Sequence, residues 1–447
     1  MITPANDDAV PDDDIDDGAT ADDTAADLAS TLDEILCGFV QQHGGMRQHD
    51  QSWHSTMGVT VGGSELAALL GKNPYSDFYD VVESKLATLA GRAWAGGGAA
   101  CWWGTLFEDT IAAYTAADLG SAVRGDDICI RMFPGHRNSP DGYLVARLYR
   151  GADDALHLWT TDMPASVPTL PQIALLEFKC PLSRRPTGSV PRQYRPQVWS
   201  GLAVSPVASF GIFIEGVFRK CAFADLGDSP GYDTAYHRRR NGDEPPWAGP
   251  VACGLIGVYA PAKSAPRRVR LGWKGDERAP GDPPGETDAA TVAATLAAAS
   301  AAAVPGVADL GAAPAYVFER ALGLIDGKRF PIRRGPPCFV DGRGPALRAA
   351  AAVVDFQRTA PPDHTLFAVL PWKLFDIHYH PVERRPGFMD EVAPLIREVH
   401  RTVAEARAAA DPAAFLAAKK AAARAKDGAA PVALPPDAVQ SFFDSLA

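Results

Sequence analysis

The chain has 447 residues, enough for one large domain with insertions or for two to three smaller domains. A formal net charge of −11 argues against a nucleic-acid partner, but residues 1–36 hold 12 acidic and no basic side chains. The remaining body carries 43 basic and 42 acidic residues, so it is free to form a basic cleft on a globular domain.

The cysteines and the apolar segments exclude several classes of protein. The seven cysteines form no C-x-x-C pair, which argues against a zinc ribbon and favours a reducing, intracellular compartment. The acidic N-terminus lacks the basic start and apolar run of a signal peptide. The most apolar stretch, 198–217, contains Pro206 and Glu215, so it predicts a buried helix and strand and no membrane association.

The first part of the chain is predicted to be helical after an acidic tail. Residues 1–45 are expected to be a disordered tail up to a short helix near 28–40. Ser64 is a favourable N-cap for the next helix, and Gly71 is a favourable residue to end it. Further helices are predicted over 76–89 and 102–117, the latter with Phe107 and Ile111 on one face.

Strands dominate the next part, which predicts an α/β fold with a mixed central sheet flanked by helices. Alternating or continuous apolar patterns predict strands over 128–133, 143–148, 156–161 and 173–178. A helix over 194–204 and a strand over 210–218 follow. We assign residues 46–221 to the core of the protein on this basis.

The second half differs in composition. Residues 222–365 contain Pro/Gly-rich, Ala-rich and basic stretches, and we interpret them as an insertion or accessory region. Residues 366–410 are expected to complete the core with a strand over 374–381 and an amphipathic helix over 389–408. The Ala/Lys-rich residues 411–447 are expected to be a flexible tail.

Two short segments carry the strongest chemical signal. Asp141 opens a predicted strand in Ser-Pro-Asp-Gly, and Glu177 and Lys179 lie in a predicted buried strand. Residues two apart on a strand point to the same side, and unpaired buried charge is costly, which favours a functional reason for them. Two carboxylates and the backbone carbonyl of Phe178 are the hard oxygen ligands that Mg²⁺ or Mn²⁺ prefers. Taken singly, a turn Asp or a surface Glu-x-Lys would be a structural feature.

Several ordered motifs resemble a known family. The chain is similar to the phage lambda exonuclease and YqaJ-like viral recombinase family of PD-(D/E)-x-K nucleases, to which the herpesvirus alkaline nucleases are related. The similarity covers about residues 50–220 and 370–410. The segments that carry it are Trp53-His54, Gly63-Ser64-Glu65, Gly71-x-Asn73-Pro74-Tyr75, Trp103-Gly104 with Glu108, Ser139-Pro140-Asp141-Gly142, Glu177-Phe178-Lys179-Cys180-Pro181 and Tyr194-x-x-Gln197-Val198.

The resemblance implies a restriction-endonuclease-like core and a role for each matching residue. It implies that Asp141 and Glu177, with Glu108 and the Phe178 carbonyl, hold two Mg²⁺ or Mn²⁺ ions, and that Lys179 activates water. Gln197 would hold the substrate or Lys179, and Ser64 and Tyr194 would bind DNA, Ser64 through a phosphate. The implied activity is 5′-to-3′ hydrolysis of duplex DNA ends in viral or phage recombination and genome processing. The resemblance also implies a single-strand annealing protein as a partner and assembly into a homo-oligomer.

The chain departs from the family at two points. The family's phosphate-binding arginine falls on Met57, which predicts a weaker preference for 5′-phosphorylated ends unless Arg47 or an arginine of the insertion replaces it. The insertion residues Arg267, Arg268 and Arg270 are candidates, because basic and aromatic residues alternate there as in DNA-contacting loops. Asp141 and Glu177 are also 36 positions apart, which predicts a longer hairpin or loop between them.

Other readings remain open. The chain could be an endonuclease or an alkaline nuclease with both activities, or a catalytically idle DNA-binding or virion protein of the same fold. A partner-binding scaffold built on residues 222–360 is a third alternative. Asp376, His378 and His380 share a strand face, but further zinc ligands are not identifiable, so we expect a structural role for them. Intracellular location in a host cell is expected, without a choice between nucleus and cytoplasm.

Overall fold

A computed structural model describes twelve parts of the chain. They are residues 21–45, 53, 56–91, 99–126, 128–131, 135–152, 156–221, 230–232, 247–261, 332–334, 338–339 and 362–426. The candidate residues Arg47, Arg267, Arg268 and Arg270 lie outside these parts, as does the Ala-rich segment 289–313.

An eight-stranded mixed sheet forms the centre of the described structure. Its strands are β4 (Gly142–Arg150), β5 (Leu156–Leu158), β6 (Leu170–Lys179), β7 (Phe210–Lys220), β8 (Ala252–Pro261), β9 (Ile332–Arg334), β10 (Cys338–Phe339) and β11 (His364–Glu383). The order is β10-β8-β11-β7-β6-β4-β5, and β9 pairs with β8. Only the β6–β7 pair is parallel among these pairings, so the mixed sheet predicted from the sequence is confirmed.

Apolar side chains cover both sides of this sheet. On one side, helix α4 (Ala99–Asp118) packs Trp103, Phe107 and Ile111 against Leu176 and Phe178 of β6. The other core joins β6 and β7 to helices α1 (Ala21–His43) and α5 (Arg195–Val204). Strand β6 is therefore buried on both sides, as its continuous apolar sequence predicts.

A smaller unit carries the remaining helices. Strands β1 (Val61–Gly62), β2 (Ile130–Arg131) and β3 (His136–Asn138) form a three-stranded sheet. Helices α2 (Leu66–Leu69), α3 (Phe78–Leu89) and α6 (Phe388–Ala408) share an apolar core beside it. A last helix, α7 (Pro412–Lys426), follows α6.

Three sequence-based expectations need correction. Helix α1 begins at Ala21, and its Leu36 and Phe39 are buried against the sheet, so residues 21–43 pack with the core instead of extending as a tail. Strand β8 pairs with β11 along its length, so part of the expected insertion extends the central sheet. Residues 412–426 form a helix whose Lys420 bonds Asp80 of α3, where a flexible tail was expected.

The turn around Ser64 also differs from the prediction. A 3-10 turn over Gly63–Glu65 precedes α2, so Ser64 lies inside this turn and Glu65 occupies the N-cap position of the helix. The Glu65 carboxylate accepts the N–H of Gly62 at 2.7 Å, so a side chain three residues ahead satisfies this donor. Gly71 has a φ of 62°, which confirms the predicted glycine after the helix.

None of the helices in the described ranges combines the length and the apolar composition that a membrane-spanning helix needs.

Candidate active site

Asp141 lies in the connection from β3 to β4 and docks on the neighbouring strand. Its Oδ2 accepts the backbone N–H of Phe178 in β6 at 2.6 Å. Gly142 follows with a φ of 149°, and a Cβ there would meet Val123 at 2.7 Å, so this backbone path requires glycine. The Asp-Gly sequence therefore sets the chain direction that brings Asp141 to β6.

Glu177 and Lys179 meet Asp141 at the end of β6. Lys179 donates from Nζ to the Glu177 carboxylate and, at 3.0 Å, to the carbonyl of Phe178. Glu177 is only 2% exposed, whereas Lys179 is 25% exposed. The predicted convergence of the Ser-Pro-Asp-Gly and Glu-x-Lys segments is therefore present, with Lys179 as the group that reaches solvent.

The electrostatics of this group are those of crowded carboxylates. Burial raises the pKa of Glu177 to about 8, with a further contribution from the negative charge of Asp141, while Lys179 opposes the rise. Burial likewise raises the pKa of Asp141. For Lys179, burial acts to lower the pKa, but the carboxylates of Glu177 and Asp141 outweigh it and raise it. One ammonium therefore faces two carboxylates, of which Glu177 is buried and Asp141 is partly exposed.

Glu108 of helix α4 acts on the same carboxylates. Its negative charge adds to the rise in the pKa of Glu177. The charge of Glu108 thus acts in the same direction as that of Asp141, and its role as a metal ligand stays a prediction.

Two further candidates lie in and before helix α5. The Lys179 ammonium is 5.4 Å from the centre of the Tyr194 ring, which also stacks on Phe213 at 5.3 Å. Gln197 accepts a hydrogen bond at its backbone carbonyl from the side chain of Asn138 at 3.3 Å. Tyr194 is thus a direct neighbour of the Glu-x-Lys segment, whereas the described contact of Gln197 is made by its main chain.

A buried acidic residue on the next strand was not singled out from the sequence as a site residue. Glu215 of β7 pairs in register with Lys179 of β6, is fully buried, and bonds the guanidinium of Arg184. Among the residues that the structure describes, its other oxygen has no hydrogen-bond partner. The signal that could have identified it is a charge inside the apolar run 210–218.

His378 and His380 of β11 lie beside this residue. His378 pairs in register with Glu215, and its Nε2 is 2.9 Å from Asp376. The two histidine rings stack at 6.0 Å. No group of three histidine, cysteine, aspartate or glutamate side chains suited to a metal ion is assembled within the described parts of the chain.

The donors around Asp141 nevertheless fit a divalent cation. Mg²⁺ sites commonly use one or two protein carboxylates and complete the shell with water and substrate oxygens. Asp141, Glu177 and the carbonyl of Phe178 supply oxygen donors at one place, joined by the Phe178 N–H and the Lys179 ammonium. Burial raises the pKa of both carboxyls and so disfavours their charged forms, and a bound cation would stabilise those forms.

Comparison with known proteins supports the family resemblance. Residues 46–208 match the model of the YqaJ-like viral recombinase domain. A protein of African swine fever virus, in its Tick/Malawi isolate, is 35% identical over 217 residues, which is 47% of this chain and 60% of the relative. The same viral protein from the Badajoz strain is 34% identical over 218 residues, with the same shares. The chain thus spans about 60% of the length of these relatives.

Solved structures give a weaker likeness. The alkaline exonuclease LHK-Exo from Laribacter hongkongensis, and the same protein in complex with dAMP, are 18% identical to this chain. The matches cover 37% of this chain and 73% of the exonuclease, with a TM-score of 0.26.

Proposed function

We propose that the protein is a metal-dependent deoxyribonuclease that degrades duplex DNA from its ends, in the 5′-to-3′ direction, during recombination or genome processing. The match of residues 46–208 to a viral recombinase domain supports this class of function. The polarity and the preference for ends rest on the family resemblance of the sequence motifs.

One observation carries the proposal. Asp141, from the connection before β4, bonds the backbone of β6 between Glu177 and Lys179. The sequence separates Asp141 from Glu177 by 36 positions, yet the fold brings two carboxylates and one ammonium to one place. Such a cluster lowers the stability of the fold, because buried charge destabilises a protein unless it is compensated. A catalytic role in phosphodiester hydrolysis would explain why these charges are nevertheless present.

The proposed cofactor is Mg²⁺ or Mn²⁺, as two ions. Asp141, Glu177 and the Phe178 carbonyl would hold them, with Glu108 as a direct ligand or as a partner of those ligands. When bound, the ions supply Lewis-acid stabilisation of the negative charge that develops on the phosphate during hydrolysis.

The protein's own groups then orient the reactants. Lys179 is partly exposed and already donates two hydrogen bonds, so its third N–H can hold the attacking water or a phosphate oxygen. Tyr194 supports Lys179 through its ring face. Ser64 is exposed and is proposed to contact a DNA phosphate. Roles for Gln197, Arg47, Arg267, Arg268 and Arg270 remain proposals from the sequence.

The alternatives differ in what the same site would do. An endonuclease, or an enzyme with both activities, would use the identical centre on DNA without ends. A catalytically idle DNA-binding or virion protein is disfavoured because Asp141, Glu177 and Lys179 are all present at the same end of β6. Assembly into a homo-oligomer, an annealing-protein partner and an intracellular location also remain proposals.

The experiment is digestion of matched linear and covalently closed circular duplexes with Mg²⁺, with label on the 5′ or the 3′ strand end. The proposal expects loss of the linear duplex, survival of the circle, and early release of the 5′ label as mononucleotide. Glu177→Gln serves as the inactive control. Cleavage of the circle at the same rate would establish the endonuclease alternative, and no cleavage of either by wild-type protein would favour the idle one.

A further inference from the structure

Arg137 of β3 is a buried cation that the catalytic centre does not use. Its side chain is only 6% exposed, and it lies four residues before Asp141. The Nε donates to the Thr60 hydroxyl at 2.9 Å, and the guanidinium lies 4.9 Å from the centre of the Trp53 ring. These contacts hold the guanidinium in one orientation with one neutral hydrogen bond and an aromatic face.

The carboxylate whose charge acts on Arg137 is already engaged elsewhere. Glu65 receives the Lys85 ammonium on both oxygens at 2.6 Å, and one oxygen also accepts the N–H of Gly62 at 2.7 Å. No ion pair joins Arg137 to a carboxylate among the described residues. Burial lowers the pKa of Arg137, and the charge of Glu65 offsets this only in part. Lys85, Glu65 and Arg137 together thus leave one buried positive charge in excess.

The terminal nitrogens of Arg137 remain available to a ligand. Within the described parts of the chain, some polar side-chain atoms are sealed from solvent and have no hydrogen-bond partner. Neither Nη of Arg137 is one of these atoms. A buried guanidinium with two free forked donors is suited to bidentate contact with a phosphate, and uncompensated buried charge is costly without such an anion.

Arg137 lies between two features of the proposed substrate site, the turn that contains Met57 and the segment that leads to Asp141. Trp53 and Thr60, which contact Arg137, enclose the turn that contains Met57, where the family has its phosphate-binding arginine. Trp53 also donates to the Ser139 hydroxyl at 3.3 Å, two residues before Asp141. Four extended residues span at most about 14 Å, which is the length of a few nucleotides of a DNA strand.

We propose that Arg137 binds a phosphate of the substrate strand beside the catalytic centre, and so supplies from β3 the cation that Met57 cannot. The inference rests on the proposed function for the identity of the ligand as DNA. The phosphate is either the 5′-terminal one or an internal one. Because the guanidinium is fixed by Thr60 and Trp53, little side-chain freedom is lost when it binds.

The test measures binding of short blunt duplexes to the full chain in EDTA at fixed salt, with 5′-phosphate or 5′-hydroxyl ends. Arg137→Met removes the charge and keeps an apolar side chain of similar length. Arg131→Met is the matched control, because Arg131 is exposed and pairs with Arg137 across β2 and β3. We expect Arg137→Met to weaken binding about 10- to 100-fold and Arg131→Met to change it less than about threefold.

The two ends identify which phosphate is bound. A loss confined to phosphorylated duplexes assigns Arg137 to the 5′-terminal phosphate, and an equal loss with both ends assigns it to an internal one. If Arg137→Met fails to fold, Arg137→Lys is measured instead, and a loss of about threefold or more is expected because an ammonium lacks the forked geometry. A folded Arg137 variant that binds both duplexes as tightly as wild type would overturn the inference.

The binding assay is independent of hydrolysis. Arg137-dependent binding by a protein without Mg²⁺-dependent nuclease activity would retain this inference and refute the proposed function. An active nuclease whose binding and KM are unchanged by Arg137→Met would do the reverse.

Discussion

Replacement of Lys179 by alanine separates a catalytic lysine from a structural one. The ammonium contacts Glu177 and the Phe178 carbonyl and is 25% exposed, so it can reach a bound substrate. Removal of such a preorganised charge from a site of phosphate chemistry costs about 10² in turnover, equivalent to about 2.7 kcal/mol. We therefore expect single-turnover cleavage with saturating Mg²⁺ to slow about 100-fold.

The stability of Lys179→Ala should change much less. Burial and the charge of Asp141 raise the pKa of Glu177 to about 8 even beside Lys179, so this carboxyl can take up a proton when the ammonium is removed. Loss of the ammonium then removes hydrogen bonds worth about 1 kcal/mol instead of stranding a buried charge. Thermal denaturation of the same preparation should show a decrease of only a few degrees.

Lys420→Ala provides the matched control. Lys420 is 29% exposed and bonds the carboxylate of Asp80 at 2.7 Å, far along the chain from the catalytic residues. Its replacement should cost no more than about 1 kcal/mol and leave turnover unchanged. The reasoning is refuted if Lys179→Ala loses activity only in proportion to its unfolded fraction, or if it is stable and fully active.

Three further predictions follow from individual side chains. Glu215→Gln should lower the melting temperature by an amount equivalent to about 1–3 kcal/mol, because it replaces the buried charged partner of Arg184 with a neutral amide; an unchanged melting temperature would contradict this. Burial lowers the pKa of His136 to about 4, so stability should fall by up to about 3 kcal/mol as pH decreases from 6.5 towards 4. Chemical denaturation across that range should show this loss, and His136→Gln should abolish it. If the turn around Met57 lacks only a cation, Met57→Arg should increase the ratio of cleavage rates on 5′-phosphorylated and 5′-hydroxyl ends by about tenfold. An unchanged ratio would show that a cation at this position does not bind the 5′-phosphate.

The sequence predicts elements best where periodicity and burial agree. Strands β6 and β7 are buried on both sides and appear as continuous apolar runs, and helix α6 has a clear amphipathic pattern. The pairing of β4 with β5, predicted as a hairpin that absorbs the extra length after Asp141, is also confirmed. Helix α1 was underestimated because its acidic composition resembles a disordered tail, although Leu36 and Phe39 pack on the sheet.

The candidate site was predictable only in part, because motifs reveal residue types but not tertiary contacts. Asp141, Glu177 and Lys179 belong to two recognisable sequence motifs, and the structure brings these motifs together at the end of β6. Arg137 was not singled out, since a basic residue in a three-residue strand looks like a surface charge until Trp53 and Thr60 are seen to bury it. The N-cap predicted at Ser64 failed because the carboxylate of Glu65 satisfies the preceding backbone instead.

The central claim is that Asp141 and Glu177 form a hydrolytic centre for DNA. The most direct measurement compares Mg²⁺-dependent hydrolysis of linear duplex by wild type and Asp141→Asn, with DNA affinity measured in EDTA on the same samples. The substitution should abolish hydrolysis and leave affinity equal or slightly higher, because phosphate neutralisation dominates binding and one repulsive charge is gone. Hydrolysis by folded Asp141→Asn at the wild-type rate would contradict the assignment.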